Sequence, residues 1–319
     1  MHAHAKDPLL DSTRPRRILF VASTGGHLAQ LKRISGSLNP APGSLWVTFD
    51  SPQTDSLLAH DEVLRVPYVK PRDFAATFKA SRIVAKSVRK GDFDLVVSTG
   101  AALAVAVLPL MRVKGIPAYY IESVSRTDGP SLTGRILAAS RLVSLRTQHE
   151  RWATKRWRQF PAVLSRFESA ERSEPPALPM RIFVTLGTIR PYRFDAVVDQ
   201  LLASGMVNEH TVWQLGETSR NDLPGTAVAY MKDADFAKEC DAADVVVTHA
   251  GVGTILALLE KGIHPVVVPR RRDRGEHVDD HQEQIAQLTS KLQIAQHVEA
   301  DGNVRSAIEQ AAVRRVVHV

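Results

Sequence analysis

Short apolar runs that end in a glycine or hydroxyl-rich turn, each followed by a helical pattern, recur along this chain and constrain its fold more than any other feature. Ile18-Leu19-Phe20-Val21-Ala22 runs into Ser23-Thr24-Gly25-Gly26-His27 and then into Leu28, Leu31, Ile34 and Leu38 at helical spacing. A continuous apolar run of this length predicts a strand covered on both faces, as in a parallel sheet. The unit returns with strands over 45–49, 63–66, 95–100, 118–122 and 142–145 and helices over 75–88, 101–111 and 132–139. Residues 167–180 are polar and proline-rich and read as a linker. The alternation then restarts, with strands over 181–186, 211–215, 228–231, 245–248 and 265–269 and helices between and after them. The pattern predicts an α/β protein of two doubly wound, Rossmann-like domains facing a cleft, residues 16–166 and 181–319, with ligands at the carboxyl ends of the strands. Residues 1–15 are polar, have no apolar signal-peptide core, and read as a disordered leader.

Charge narrows the partners. The net charge of +7 divides unevenly: residues 1–165 carry 24 Lys+Arg against 12 Asp+Glu, and residues 166–319 carry 17 against 22. A basic half attracts nucleic acid, an anionic membrane or a phosphorylated ligand. No RNA-recognition aromatic pattern is present, so no nucleic-acid partner is expected. Arg82, Lys86 and Arg89 punctuate one helix, and Arg151-Trp152, Arg156-Trp157-Arg158 and Phe160 interleave cations with aromatics, which suits an anionic membrane surface. No stretch approaches the roughly 20 apolar residues of a spanning helix, so the expected association is peripheral, from the cytoplasmic side. The single cysteine, Cys240, excludes an intramolecular disulfide and a multi-cysteine zinc site, and reads as a buried structural thiol.

Three motifs carry chemistry. In Ser23-Thr24-Gly25-Gly26-His27 two glycines open a tight turn that exposes backbone amides at a helix start, a favourable place for an anion. The run is neither a G-x-G-x-x-G fingerprint nor a Walker A loop, which disfavours a dehydrogenase and a P-loop enzyme. His27 stands at the turn as a candidate proton acceptor, the alternative being a packing histidine. In Thr248-His249-Ala250-Gly251-Val252-Gly253-Thr254 the same logic offers amides and a hydroxyl to a diphosphate, with Glu260 two turns on as a candidate acceptor for ribose hydroxyls. Arg270-Arg271-Arg272-Asp273-Arg274-Gly275-Glu276-His277-Val278-Asp279-Asp280-His281-Gln282 begins at a strand end and finishes at a helix start. Its polar end suits sugar hydroxyls, and its arginines suit an acidic sugar or solvent. His277 and His281 lack the His-Glu-x-x-His order, so no metal is expected. Val184-Thr185-Leu186-Gly187-Thr188 and Ile121-Glu122-Ser123-Val124-Ser125-Arg126 end two further strands. Glu122 there reads as a base, a hydroxyl acceptor or a partner of Arg126.

Taken together, these motifs resemble those of inverting GT-B glycosyltransferases that extend lipid-linked sugars. The chain is similar to a fusion of the two-subunit UDP-N-acetylglucosamine transferase of asparagine-linked glycosylation, and to the bacterial glycosyltransferase pairs of exopolysaccharide and capsule synthesis. More distantly it resembles the lipid II-forming peptidoglycan N-acetylglucosaminyltransferase, which has Gln-Gln where this chain has Gln282-Glu283. Residues 18–165 resemble the acceptor half and residues 181–290 the donor half. The resemblance implies a UDP-sugar donor and a polyprenyl-diphosphate-linked saccharide acceptor, with no metal or other cofactor. It implies that Gly251, Val252, Gly253 and Thr254 hold the diphosphate with His249 alongside, that Gly187 and Thr188 approach it, and that Glu260 binds the ribose. Asp280, His281 and Gln282 would face the transferred sugar. His27 or Glu122 would be the base, with Gly25, Gly26 and Arg126 on the acceptor side. A UDP-sugar epimerase of the same fold and a non-catalytic nucleotide-sugar-binding protein are the other readings.

Overall fold

The computed structural model describes residues 7–10, 13–69, 74–188, 190–277, 281–299 and 301–319, apart from the side chains of Phe74, Ala75 and His281. The chain divides into two compact units, Met1–Val163 and Leu164–Val319.

The first unit runs β1 (Ile18–Ala22), α1 (Gly26–Ser35), β2 (Leu45–Phe49), α2 (Pro52–Leu57), β3 (Glu62–Val66), α3 (Phe74–Ser87), β4 (Leu95–Gly100), α4 (Ala102–Val113), β5 (Ala118–Ile121), α5 (Leu132–Ser140), β6 (Ser144–Thr147) and β7 (Trp157–Gln159). Its seven strands pair in the order β3-β2-β1-β4-β5-β6-β7, every pairing parallel. All five residues of β1 are buried, as its apolar run requires of a central strand. Leu19 and Val21 face one core with Leu103, Val107, Leu108 and Met111 of α4, Val84 of α3 and Leu137 of α5. α3 packs on α4 and α4 on α5.

The leader is tied down where it is described. Leu9 is buried, and Asp7 pairs with Arg146 of β6, whose guanidinium stacks over Tyr119. Hydrogen bonds from Arg146 and the Leu9 amide hold the Asp7 carboxyl below its usual range, against the opposing pull of burial. The leader reading thus fails at residues 7–10; residues 1–6 and 11–12 lie outside the described residues.

The second unit runs β8 (Phe167–Glu171), β9 (Ile182–Thr185), α6 (Asp195–Ser204), β10 (Val212–Gln214), β11 (Thr226–Val228), α7 (Asp233–Ala242), β12 (Val245–His249), α8 (Val252–Glu260), β13 (Val266–Val268), α9 (His281–Lys291), β14 (Gln296–His297), α10 (Val304–Ala312) and β15 (Arg314–His318). Its main sheet has the order β11-β10-β9-β12-β13-β14, again parallel, and β15 pairs antiparallel with β8. The stretch read as a linker therefore begins with a strand: Phe167–Glu171 aligns residue for residue with His318–Arg314. Its partner lies about 150 residues away, so local composition did not reveal it. Among the described residues no helix is long and apolar enough to cross a membrane.

Candidate active site

In each unit the order of strands reverses beside the first strand, between β1 and β4 and between β9 and β12. Ligands of open parallel sheets bind at the carboxyl ends of the strands at such a point. The glycine turns lie there.

In the first unit Gly25 has φ of 91°, a conformation glycine adopts without a Cβ penalty, and it turns the chain from β1 into α1. The α1 start has no side-chain cap. Gln53 brackets Gly25: its Oε1 accepts the Gly25 N–H at 2.5 Å and its Nε2 donates to the Gly25 carbonyl at 3.1 Å. Gly26 is the first residue of α1. His27 follows, with Nδ1 2.7 Å from the Thr99 carbonyl. A carbonyl only accepts, so Nδ1 carries the hydrogen and Nε2 is the nitrogen with a lone pair. Thr99 donates its hydroxyl back to the His27 carbonyl. The ring lies against Gly100, where a Cβ would come within 2.8 Å of it.

Glu122 is placed differently from a general base. The side chain is wholly buried. One carboxylate oxygen accepts from Tyr120 Oη at 2.9 Å and Ser123 N–H at 3.1 Å, and the other accepts from Ser131 N–H and Oγ, both at 2.9 Å. Burial, and then the charge of Glu122, push the Tyr120 phenol well above its usual pKa. With two donors on each oxygen and no exposure, Glu122 ties the 122–131 loop together, and its reading as a proton acceptor from substrate is corrected. Gln30 and Gln148 reinforce the loop: Gln30 Oε1 accepts the Val124 N–H, and Gln148 Nε2 donates to the Glu122 carbonyl. Arg126 is half-buried, and its carbonyl accepts from Trp152 Nε1.

In the second unit Gly251 caps α8 without a side-chain cap, which leaves the amides of Val252, Gly253 and Thr254 in the first turn. Val252 is buried, and Gly253 and Thr254 are partly exposed. The His249 ring is wedged between two glycines: a Cβ on Gly251 would lie 2.2 Å from its Nε2, and one on Gly187 2.6 Å from its Cε1 and Nε2. Burial, and then the charge of Arg270, push the His249 pKa down to about 3. The ring fills the space between the two glycines. Gly187 has φ of 77°, and its carbonyl lies where a Cβ on Gly216 would fall. Thr188 beside it is exposed.

Glu260 is the last residue of α8 and is exposed. It lies eight residues from Val252, about 12 Å along the axis at 1.5 Å per residue. In this architecture the helix runs back against the strands, so Glu260 lies toward their amino ends, away from Gly251, where its carbonyl meets His318 of β15. The ribose assignment is corrected on this ground: spacing alone put both residues on one helix, and the length of that helix separates them.

The long charged motif is largely internal. Arg270 is fully buried, and Gln282, also buried, accepts the Arg270 N–H at 3.1 Å. Arg271 pairs with Glu283 and Glu299, and Arg274 with Asp301. Glu276 accepts the Arg271 N–H at 2.9 Å, and burial raises its pKa. His277 is buried and stacks on Tyr192, ring centroids 6.1 Å apart. Asp280 lies outside the described residues, and His281 is the first residue of α9. Among the described residues no group of three or more His, Cys, Asp or Glu is gathered as metal ligands would be. Cys240 is buried and its pKa is pushed up to about 12 by burial, so it is an inert thiol.

The aromatic cluster expected at a membrane is inside the first unit. Trp157 and Phe160 are buried, Trp157 packs edge-on to Tyr120 at 6.2 Å, and Trp152 packs on Trp157 at 5.2 Å. Arg156 donates to the Val143 carbonyl. The segment is a single 3₁₀ turn followed by β7. Exposed apolar residues of this unit include Phe78 on α3, Val113 at the end of α4, and Leu132 and Ile136 on α5.

Comparisons agree with this architecture. Residues 184–314 match the glycosyltransferase family 28 C-terminal domain. Among solved structures, MurG of Acinetobacter baumannii is 16% identical, with 94% of each chain covered and a TM-score of 0.57. The kitacinnamycin glycosyltransferase is 17% identical, with 94% of this chain and 91% of that one covered and a TM-score of 0.58. SnogD from Streptomyces nogalater is 17% identical, with 94% and 92% covered and a TM-score of 0.57. No curated protein sequence matches the chain. The fold is GT-B, and residues 184–314 carry a glycosyltransferase family 28 C-terminal domain.

Proposed function

We propose that this chain is a glycosyltransferase that moves a sugar from a UDP-sugar to a polyprenyl-diphosphate-linked saccharide at an anionic membrane surface, with inversion, in cell-surface polysaccharide synthesis. The observation that carries the donor reading is the uncapped start of α8 at the strand reversal, beside Gly187, within the family 28 match. A related fold, SsfS6 from Streptomyces, was solved in complex with thymidine diphosphate, which supports a nucleoside diphosphate as the class of ligand. The amides of Val252, Gly253 and Thr254 and the positive end of α8 would stabilise the diphosphate as it leaves. The Thr99 carbonyl, which accepts the His27 Nδ1–H, supports His27 as the base, with Nε2 as its proton acceptor. Nε2 takes the acceptor hydroxyl proton, the acceptor oxygen bonds to the anomeric carbon, and the bond from that carbon to the diphosphate breaks. UDP departs with the electron pair.

The membrane reading rests on the helices of the first unit. α3, α4 and α5 carry Lys79, Arg82, Lys86, Arg112 and Arg135 and no aspartate or glutamate. Phe78 is 63% exposed with the Arg82 guanidinium over its ring, and Leu132 is 61% exposed. Apolar side chains among cations suit an anionic interface.

The test is UDP release with UDP-glucose, -galactose, -glucuronate or -N-acetylglucosamine, with and without a polyprenyl-diphosphate acceptor. Release that needs the acceptor with one donor is expected. Conversion of a UDP-sugar without acceptor would overturn the reading in favour of an epimerase, and no turnover with binding alone would favour a non-catalytic role. Sedimentation with phosphatidylglycerol against phosphatidylcholine vesicles tests the surface. Substituting Lys79, Arg82 and Lys86 together by Glu should abolish the preference for anionic lipid, at about 1 kcal/mol per cation.

A further inference from the structure

Arg270 is the one residue of the arginine run with no access to solvent, and its contacts join two loops of the second unit. Its guanidinium donates Nη2–H to the Leu186 carbonyl at 2.8 Å, and Nη1–H to the carbonyls of Tyr192 and Arg193, both at 3.1 Å, and of Glu276 at 3.0 Å. The guanidinium lies over the Phe194 ring, 4.8 Å from its centroid. Its own backbone N–H is held by Gln282. Leu186, Tyr192 and Arg193 belong to the loop after β9, which carries Gly187 and Thr188. Glu276 belongs to the loop after β13, which leads to Gln282. No carboxylate contacts the guanidinium among the described residues, since the Glu276 side chain turns to the Arg271 N–H. Carbonyl dipoles and an aromatic face meet the charge instead.

We propose that Arg270 is a positioning residue for the nucleoside-diphosphate donor: its planar fork sets the loop after β9 and the loop after β13 at a fixed separation on either side of the His249 wedge. This rests on the donor reading above. The fork geometry is the essential property. A guanidinium presents five donors in one plane, whereas an ammonium is a compact point charge that cannot span carbonyls from two loops in the same way. A buried cation without an ion-pair partner also costs desolvation, which a chain retains only where its contacts offset the cost. The sequence signal is slight: the charged run begins directly after the buried strand Val266–Val268 and Pro269, so its first member is the one drawn inside.

Two readouts separate this inference from the donor reading. Amide hydrogen exchange of the full chain, wild type against Arg270→Lys, reads the loops without any ligand. Segments 186–194 and 270–277 should exchange at least tenfold faster in the variant while β9 and β12 stay protected; unchanged loop protection would overturn the proposal. Calorimetry with UDP reads the site. The wild type should bind UDP, and Arg270→Lys should weaken binding about tenfold or more despite keeping the charge. Wild-type affinity in Arg270→Lys would overturn the proposal, showing that charge alone sufficed. If the wild type binds no UDP, the donor reading and the donor-positioning role built on it both fall. Should Arg270→Lys not fold, Phe194→Leu removes the ring face and leaves every carbonyl in place. It should give an intermediate, roughly threefold, loss of UDP affinity with the same two segments exposed. No change in either readout would count against the proposal.

Discussion

The two units build the same device and tune it to different ends. Each places a histidine at the strand reversal, and each packs that ring against a glycine at the end of the neighbouring strand: His27 on Gly100, and His249 on Gly187 and Gly251. In sequence the turns are near mirror images, Gly-Gly-His and His-Ala-Gly. Their surroundings differ. His27 is partly exposed and its Nδ1–H is accepted by the Thr99 carbonyl, which sets its tautomer. The His249 Nδ1 is buried, and the ring lies near the charge of Arg270. The two rings share residue type and strand position and differ in their hydrogen bonding and neighbours.

The largest expected contrast is catalytic. His27→Ala should lower transfer by about 10²–10⁴-fold, the range for loss of a general base, with UDP affinity intact by calorimetry. Near wild-type turnover would remove His27 from the mechanism and break the contrast between the two histidines. His249→Ala should instead affect stability and donor affinity together, with no base-specific limb lost from the pH–rate profile.

Next comes Glu122→Gln, which keeps the shape but sets an NH₂ against existing donors. Leaving a buried donor without an acceptor should cost about 1–3 kcal/mol of stability in denaturant unfolding. A loss of turnover at unchanged stability would restore Glu122 as a chemical group.

Gly251→Ala forces a methyl into the His249 ring, and overpacking of this kind costs about 1–3 kcal/mol. Adding His249→Ala should relieve most of that cost, since the clash is with that ring; equal losses in the single and double variants would show that the wedge does not explain the glycine.

A further contrast is in pH. The folded-state pKa of His249 is depressed to about 3 from an ordinary value near 6.5. The unfolded chain therefore takes the proton first. The contribution to stability is complete above about pH 6.5 and is lost as pH falls toward 3. His249→Leu should flatten the fall in melting temperature between pH 6.5 and 4, and an unchanged slope would show that His249 does not set it.

Much of this was legible in the residues. Strands such as Ile18–Ala22 and Val245–His249 and the helices after them fell within a few residues of their predicted places, because apolar runs and glycine turns are local signals. The shift of β6 to Ser144–Thr147, and the short helix Pro52–Leu57 capped by Ser51, were not foreseen. The departures at the site share a cause. Glu260, Trp157, Phe160 and Arg270 are ordinary polar, aromatic and charged residues at plausible spacings, and their roles depend on what lies across the fold.

The sequence by itself therefore determined the class of fold, the parallel strands and the places where glycine opens a turn, since these follow from side-chain periodicity and backbone freedom over a few residues. The tertiary structure alone decided which groups there are exposed. Arg270 reaches carbonyls up to 84 residues away, Gln30 reaches Val124 across 94, and Phe167–Glu171 finds its strand partner at the far end of the unit. Burial and hydrogen-bond saturation, which turn a carboxylate into a staple and a histidine into a wedge, come from such distant partners and are absent from any local pattern.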